Sequence, residues 1–382
     1  MQHQKAFPMT TNEKFSRMFY TPEHYDLIRK RGLLGPNGWL LFVACNAAVD
    51  FARDVKKEYE AMLVENNSET TGIPIIGDRE TPITAVFSDT ETCPRLPKYV
   101  NGAHAVVFQC CHETVTGNTV NENIQQMIQV VRTLRAHRAR TITVVTPYSP
   151  YSRQDKPTFM KREATLAKLF ADQLKMAGAT VHMAYHPHSY AIAGFYEPEM
   201  TFVALSGLAL FVEMFEDKIG RDDVVVVSTD AGGAKFTVHY ANAMKTTYAI
   251  TNKFRKGPTA NLLGVIGDIE NKKTAIIIDD ETATGTSILN AVTKLYEKYG
   301  IKEIYVALSH MKIKAEHLPR FIEAHEKGGL REVHTTDTTP QSPEILNTGF
   351  VKVHSIARRF ASAINRIHYN QSVSMLFQDR EG

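Results

Sequence analysis

The feature that most constrains this chain is an alternation beginning at Trp39: short runs of apolar, mostly β-branched residues, each followed by a longer segment of helical period. Such runs predict strands at Leu40–Ala44, Ala105–Phe108, Thr141–Val145, Thr180–Ala184, Val224–Ser228, Thr247–Ile250, Ala275–Ile278 and Ile304–Ala307. Because they are apolar throughout rather than alternating, they belong in parallel sheets covered on both faces. Between them, Ile124, Met127, Ile128, Val131 and Leu134 recur at steps of three and four, as do Leu166, Leu169, Phe170 and Leu174. Each set predicts one buried helix stripe, the second ended by Gly178. The polar stretch Asn66–Thr81, rich in Gly, Pro and Thr, reads as an inserted loop. The expected class is therefore α/β. With 382 residues against a domain size of about 150, and a new strand–loop–helix rhythm after Pro198–Ser206, two α/β domains are expected.

Composition excludes several functions. A net charge of only +3 and 43% apolar residues describe a globular chain without a nucleic-acid footprint, so a charged ligand needs a local site. Apolar runs such as Leu40–Cys45 fall far short of the roughly 20 residues that span a bilayer. The N-terminus, with Lys5, Glu13, Lys14 and Arg17, has no signal-peptide core. Four cysteines without CxxC spacing fit a reduced, cytoplasmic compartment, and Cys110 and Cys111 read as buried thiols.

In open parallel sheets ligands bind beyond the carboxyl ends of strands, which directs attention to three loops. In the first, Asp279-Asp280-Glu281-Thr282-Ala283-Thr284-Gly285-Thr286-Ser287 follows an apolar strand and precedes a helix. Its paired carboxylates could accept hydrogen bonds from a sugar diol or hold magnesium through water, and its small residues could seat a phosphate on the helix N-terminus. The same residues could equally be a helix capped by Thr286 or Ser287, with solvated acids before it. In the second, Asp230-Ala231-Gly232-Gly233 offers close backbone approach to an anion such as diphosphate, with Asp230 placed to carry its magnesium, although a lone Gly-Gly turn is a weak signal. In the third, Pro147-Tyr148 to Lys156 sets Arg153, Gln154 and Asp155 where a nucleotide's phosphate and base edge could lie; as an ordinary loop it would be unremarkable.

Taken together the segments resemble the ribose-phosphate diphosphokinase (phosphoribosyl pyrophosphate synthetase) family. Pro147-Tyr148 to Asp155 is similar to its PYxxYxRQD segment, Asp230 to Gly233 to its diphosphate loop, Lys253-Phe254-Arg255 to its KxR, and Asp279-Asp280 to Ser287 to its phosphoribosyl loop. Phe87-Ser88-Asp89-Thr90-Glu91 is similar to FSDGE, Gly194-Phe195-Tyr196 to GFF, and Ser372 to Phe377 to the closing strand, all in the family's order. The resemblance implies two tandem type I phosphoribosyltransferase-like domains, 39–203 and 204–356, preceded by an extension, 1–38, and followed by a segment, 357–382, that packs back on the first domain. It also implies transfer of the β,γ-diphosphate of MgATP to the anomeric hydroxyl of ribose 5-phosphate.

By the same resemblance Lys253, Arg255 and His188 are catalytic. Arg153, Gln154 and Asp155 contact ATP, and Phe87, Asp89 and Glu91 complete its pocket from a neighbouring subunit of a homo-oligomer, dimer or hexamer. Asp230, Gly232 and Gly233 hold diphosphate; Asp279, Asp280, Ala283, Thr284, Gly285, Thr286 and Ser287 hold the ribose phosphate; His188 and Asp230 bind Mg2+. Without the resemblance, Lys253 and Arg255 would read as a solvated basic stretch and His188 as structural. Three departures stand out: DLH is His186-Pro187-His188, the loop's aspartate and second glycine are Ala283 and Thr286, and Phe236 stands in place of an arginine. A β-branched Thr286 is expected to resist a glycine's backbone angles. Because the altered end of the loop faces the 5′-phosphate, an acceptor substituted there, ADP-ribose, is an alternative that would place the chain in NAD metabolism. A catalytically silent regulatory homologue is another.

Overall fold

A computed structural model describes residues 33–112, 116–256 and 259–374, with the side chains of 252–256 and 259–263 outside the description. The first sheet contains β1 (Leu34–Gly35), β2 (Gly38–Ala44), β3 (Ile75–Ile76), β6 (Ala103–Phe108), β7 (Thr141–Val145), β8 (Val181–Tyr185) and β9 (Thr201–Leu205); β4 (Thr84–Val86) and β5 (Thr92–Pro94) form a separate hairpin. The order is β1-β2-β6-β7-β8-β9, with β3 on β2 and every pairing parallel except that of β1. The second sheet holds β10 (Val224–Ser228), β11 (Thr247–Lys256), β12 (Thr259–Gly267), β13 (Thr274–Thr282), β14 (Glu303–Met311), β15 (Leu330–Thr336) and β16 (Val351–His354). Its order is β12-β11-β10-β13-β14-β15-β16, parallel apart from the hairpin strand β12.

The expected α/β class follows from how these strands bury both faces. In β2, Leu40, Phe42 and Ala44 face one core with Phe51, Tyr59 and Phe360, whereas Leu41 and Val43 face the other with Met127, Leu134 and Phe170. In the second sheet Val225, Val227 and Ile277 pack on Ile288, Val292 and Phe321, and Val224, Val226 and Ile276 on Phe211 and Tyr240. Cys110 and Cys111 are buried as expected, and burial pushes the Cys110 thiol up to about 12.

Several expectations need correcting. Leu169 points outward, 51% exposed, because Ala167, Phe170, Ala171, Leu174 and Ala177 make the buried face of helix Leu166–Ala177. The loop 66–81 carries β3, whose Ile76 is buried, so it is partly a sheet edge. β9 carries the first sheet past residue 203 to Leu205, where it pairs with Tyr185. Residues 34–35 of the extension pair with β2, while 375–377 of the closing segment lie outside the described residues.

The helix Ala357–His368 returns to the first sheet. Phe360 meets Phe51 edge to face at 5.5 Å, Asn365 Nδ2 donates to Tyr59 Oη at 2.9 Å, and Arg358 pairs with Glu65 at 2.6 Å. At its end His368 stacks on His104, with Nδ1 atoms 3.0 Å apart and Nε2 3.1 Å from the Leu33 carbonyl. Burial holds both rings neutral, His104 down to about 3, helped by His368, and His368 down to about 4.

An unfolded histidine takes up its proton near pH 6.5, so these rings add stability above that pH and lose it as the pH falls toward 4, at about 1.4 kcal/mol per proton per pH unit. Raised carboxyls at Asp279 and Asp337 work in the opposite sense, so the histidines are isolated by comparing variants. His368→Gln should cost most stability at pH 7.5 and much less at pH 5 in urea unfolding; a cost independent of pH would contradict this account.

Candidate active site

The loops converge where the carboxyl ends of the two sheets face each other. Ser228 is in register with both Ile250 and Ile278, so Asp230, Lys253 and Asp279 all lie beyond the same row at the same end of the second sheet. Lys253 and Arg255 occupy extended backbone in β11, after a bulge at Asn252/Lys253; their side chains lie outside the described residues.

Asp279 and Asp280 are part of β13, which continues to Thr282 by pairing with β14. Thr229 Oγ1 donates to Asp279 Oδ2 at 2.6 Å, and the amide of Asp280 to Asp279 Oδ1 at 3.0 Å. Burial, with Asp280 alongside, pushes the Asp279 carboxyl well up. Burial also works against charge on Asp280, but His188 Nδ1, 2.5 Å from its Oδ2, holds that carboxyl below the usual range and is itself raised. The two neighbouring carboxyls are thus pushed in opposite directions, Asp279 up by burial and Asp280 down by His188.

Next to it, Gly285 turns the chain at φ +72° and helix Thr286–Tyr299 begins with no side-chain cap, so neither Thr286 nor Ser287 caps it. The Thr286 amide donates to Thr284 Oγ1 at 3.5 Å, and the amides that follow it at a helix N-terminus are suited to an anion. Thr286 is an ordinary first helical residue: the left-handed turn falls on Gly285, so the expected clash of a β-branched residue with glycine angles does not arise. A Cβ on Gly285 would lie 2.2 Å from the Phe321 ring. Ala283 and Thr284 are exposed, and Thr284 Oγ1 is 3.1 Å from Thr286 Oγ1, which also accepts from Arg320 Nη1 at 3.2 Å. Arg320 was invisible in the sequence because it sits beyond the loop, on helix Leu318–Lys327.

The Asp230 side chain is folded into its own turn, accepting from the amides of Gly232 at 2.9 Å and Gly233 at 3.3 Å. A Cβ on Gly233 would meet Ser228 Oγ at 2.8 Å, so the close approach there is to the preceding strand.

From the first sheet come Arg153, Gln154 and Asp155. Arg153 and Gln154 line a cavity of about 380 Å3 with Lys156, Thr158 and Glu163. Arg153 Nε lies 2.8 Å from Glu281 Oε1, and Lys312 Nζ 2.6 Å from Glu281 Oε2. His186, the residue in place of an expected acid, is 3% exposed; its Nδ1 is 2.5 Å from Ser309 Oγ, and its ring lies 4.4 Å from that of Phe236. The two departures thus contact each other, and together they place a neutral aromatic pair where an acid and an arginine were expected. Among the described residues no group of three or more His, Cys, Asp or Glu forms a metal-holding cluster, and His188 bonds Asp280 rather than Asp230.

Phe87, Asp89 and Glu91 stand apart, on the exposed turn of the β4–β5 hairpin. Asp89 Oδ1 accepts from the Glu91 amide at 3.1 Å, and Thr90 takes φ +73° where the FSDGE pattern has glycine.

Two family models match: the N-terminal domain of ribose phosphate pyrophosphokinase over residues 41–178, and the phosphoribosyl synthetase-associated domain over 228–378. The ribose-phosphate pyrophosphokinase of Caldanaerobacter subterraneus is 34% identical over 292 residues, covering 76% of this chain and 88% of that protein. That of Bacillus subtilis is 34% identical, covering 76% and 87%. The crystal structure of phosphoribosylpyrophosphate synthetase from Mycobacterium smegmatis superposes with a TM-score of 0.71 at 25% identity, over 86% of this chain and 98% of that one. This chain belongs to the ribose-phosphate pyrophosphokinase family, with the two-domain α/β fold of those synthetases.

Gly285→Ala should lower stability by at least about 1 kcal/mol from backbone strain alone, and by more through the Phe321 contact. Chemical unfolding measures it; an unchanged midpoint would mean that the turn does not need glycine.

Proposed function

We propose that this chain is a diphosphotransferase that moves the β,γ-diphosphate of MgATP onto the anomeric hydroxyl of ribose 5-phosphate. A bond forms from the anomeric oxygen to the β-phosphorus as the hydroxyl gives its proton up to solvent, the bond from that phosphorus to the α-bridging oxygen breaks, and AMP leaves. The observation that carries this reading is that Asp280 and Glu281, next to Asp279 and just before the N-terminus of helix Thr286–Tyr299, meet His188 and Arg153 from the other sheet. One side suits a sugar phosphate and the other a nucleotide.

Such a transfer needs alignment and cations more than covalent help. In the proposed complex Asp279 and Asp280 hold the ribose diol, and the amides from Thr286 onward take the 5′-phosphate. Arg153, Gln154 and Asp155 hold the nucleotide, and Asp230, Gly232 and Gly233 the diphosphate. Lys253 and Arg255 steady the transferring group, and His188 keeps Asp280 ionised. Magnesium takes oxygen ligands and is held by one or two carboxylates plus substrate phosphates, so the carboxylates of Asp230 and Asp280 suit it better than the His188 ring. Bound there, it would neutralise phosphate charge.

The exposed hairpin turn, with Val86 60% and Phe87 45% exposed, supports a homo-oligomer in which Phe87, Asp89 and Glu91 reach a neighbouring subunit's nucleotide. The free state of all four cysteines supports a reducing, cytoplasmic setting. ADP-ribose remains a second acceptor reading because Arg320 on Thr286 sets a cation beside the 5′ end, where a second phosphate would lie.

Purified protein incubated with MgATP and ribose 5-phosphate should release AMP in step with a pyrophosphorylated sugar. Release only with ADP-ribose would transfer the assignment to that acceptor. No AMP with either would favour a silent regulatory homologue.

A further inference from the structure

Next to the diol carboxylates lies a residue that none of the resembling motifs assigns. The Glu281 side chain is 5% exposed, yet it is an acid held between two cations from opposite sides of the cleft. Lys312, on its own sheet's side, approaches Oε2 to 2.6 Å and also donates to Tyr148 Oη at 2.9 Å, with Nζ 4.1 Å above the Tyr148 ring. Arg153, from the other sheet, approaches Oε1 to 2.8 Å through Nε. A carboxylate this enclosed persists only if paired, and here both partners are charged.

The contact to Arg153 is made by the inner nitrogen of the guanidinium. That side chain remains 60% exposed and lines the cavity of about 380 Å3 with Gln154, Lys156 and Thr158. Among the described residues Glu281 Oε1 accepts no hydrogen bond, so the contact is an ion pair: it holds the guanidinium beside the carboxylate while leaving its N–H donors for a phosphate. An unanchored arginine would have to be ordered by the nucleotide, at a cost in affinity. Glu281 is also continuous in the chain with Asp280, so the strand that places the diol carboxylates places the anchor too.

Resting on the transfer reading above, we propose that Glu281 is a positioning residue: with Lys312 it fixes Arg153 for the nucleotide phosphates and ties that arginine to the strand that holds the acceptor. Nucleotide and acceptor sites are thereby coupled, and coupling in binding is reciprocal. The acceptor should tighten nucleotide binding, and nucleotide should tighten acceptor binding by the same factor.

The test uses the full chain and an ATP analogue with a methylene between the α- and β-phosphorus, which binds without transfer. Titration calorimetry with and without ribose 5-phosphate gives the coupling directly, whether or not turnover occurs. Glu281→Gln should weaken analogue binding about tenfold and bring the coupling ratio close to one. In turnover it should raise KM for ATP more than it lowers kcat. Glu281→Gln/Lys312→Met removes both buried charges, guards against misfolding, and should show the same loss of nucleotide affinity. Analogue affinity within twofold of wild type in a folded variant would overturn the proposal, even if the protein melts earlier. Absence of AMP from the wild-type protein with any acceptor would instead overturn the transfer reading.

Discussion

The fold and its proposed chemistry depend on one arrangement: two parallel sheets facing each other at their carboxyl ends, joined by ionised side chains from β13. Asp280 reaches His188 and Glu281 reaches Arg153, so two consecutive residues of one strand hold two loops of the other sheet. Beside them Lys312 reaches Tyr148, and further contacts across this seam are neutral: His186 Nδ1 with Ser309 Oγ, His310 Nε2 with the His186 carbonyl, and the Tyr148 ring on that of His310. Charge is concentrated where ligand charge is expected, and the surrounding polar contacts need none. Low local dielectric strengthens each of these pairings and penalises any partner left alone.

The pairing of departures at His186 and Phe236 has a physical logic. An acid at position 186 facing Phe236 would be a lone charge buried beside Phe211 and Ser309. The His186 ring instead packs tilted against Phe236 and edge to face with Phe211, and burial holds it down to about 4 and therefore neutral. The site as a whole then relies on Asp280 with His188, rather than on an acid at position 186.

Much of this was legible in the sequence because interior strands of a parallel sheet are apolar on both faces. Thr141–Val145 and Val224–Ser228 begin and end where the apolar runs do. The last strands of each sheet, at or next to an edge, were not legible. β15, Leu-Arg-Glu-Val-His-Thr-Thr, and β16 mix charge with apolar residues because solvent reaches part of them, and Thr201–Leu205 looks like a linker beside Pro198. In the site, the loops were readable as composition, but their pairing was not. Glu281 looked like one more acid in an acidic run, and Lys312 and Arg320 lie outside every motif, so only folding shows what they touch. Leu169 shows the limit of periodicity, since a residue at the edge of a stripe can face either way.

The return of helix Ala357–His368 to the first sheet has a consequence for biosynthesis. Phe360, Ile364 and His368 complete a core whose other members, Phe42, Phe51 and Tyr59, leave the ribosome some three hundred residues earlier, as the Asn365–Tyr59 separation of 306 illustrates. The leading half must wait, one apolar face uncovered, while the whole second sheet is made. A nonsense codon just before Ala357 would therefore damage the beginning of the protein rather than its end, and the halves cannot be produced as independent fragments by cutting between the sheets.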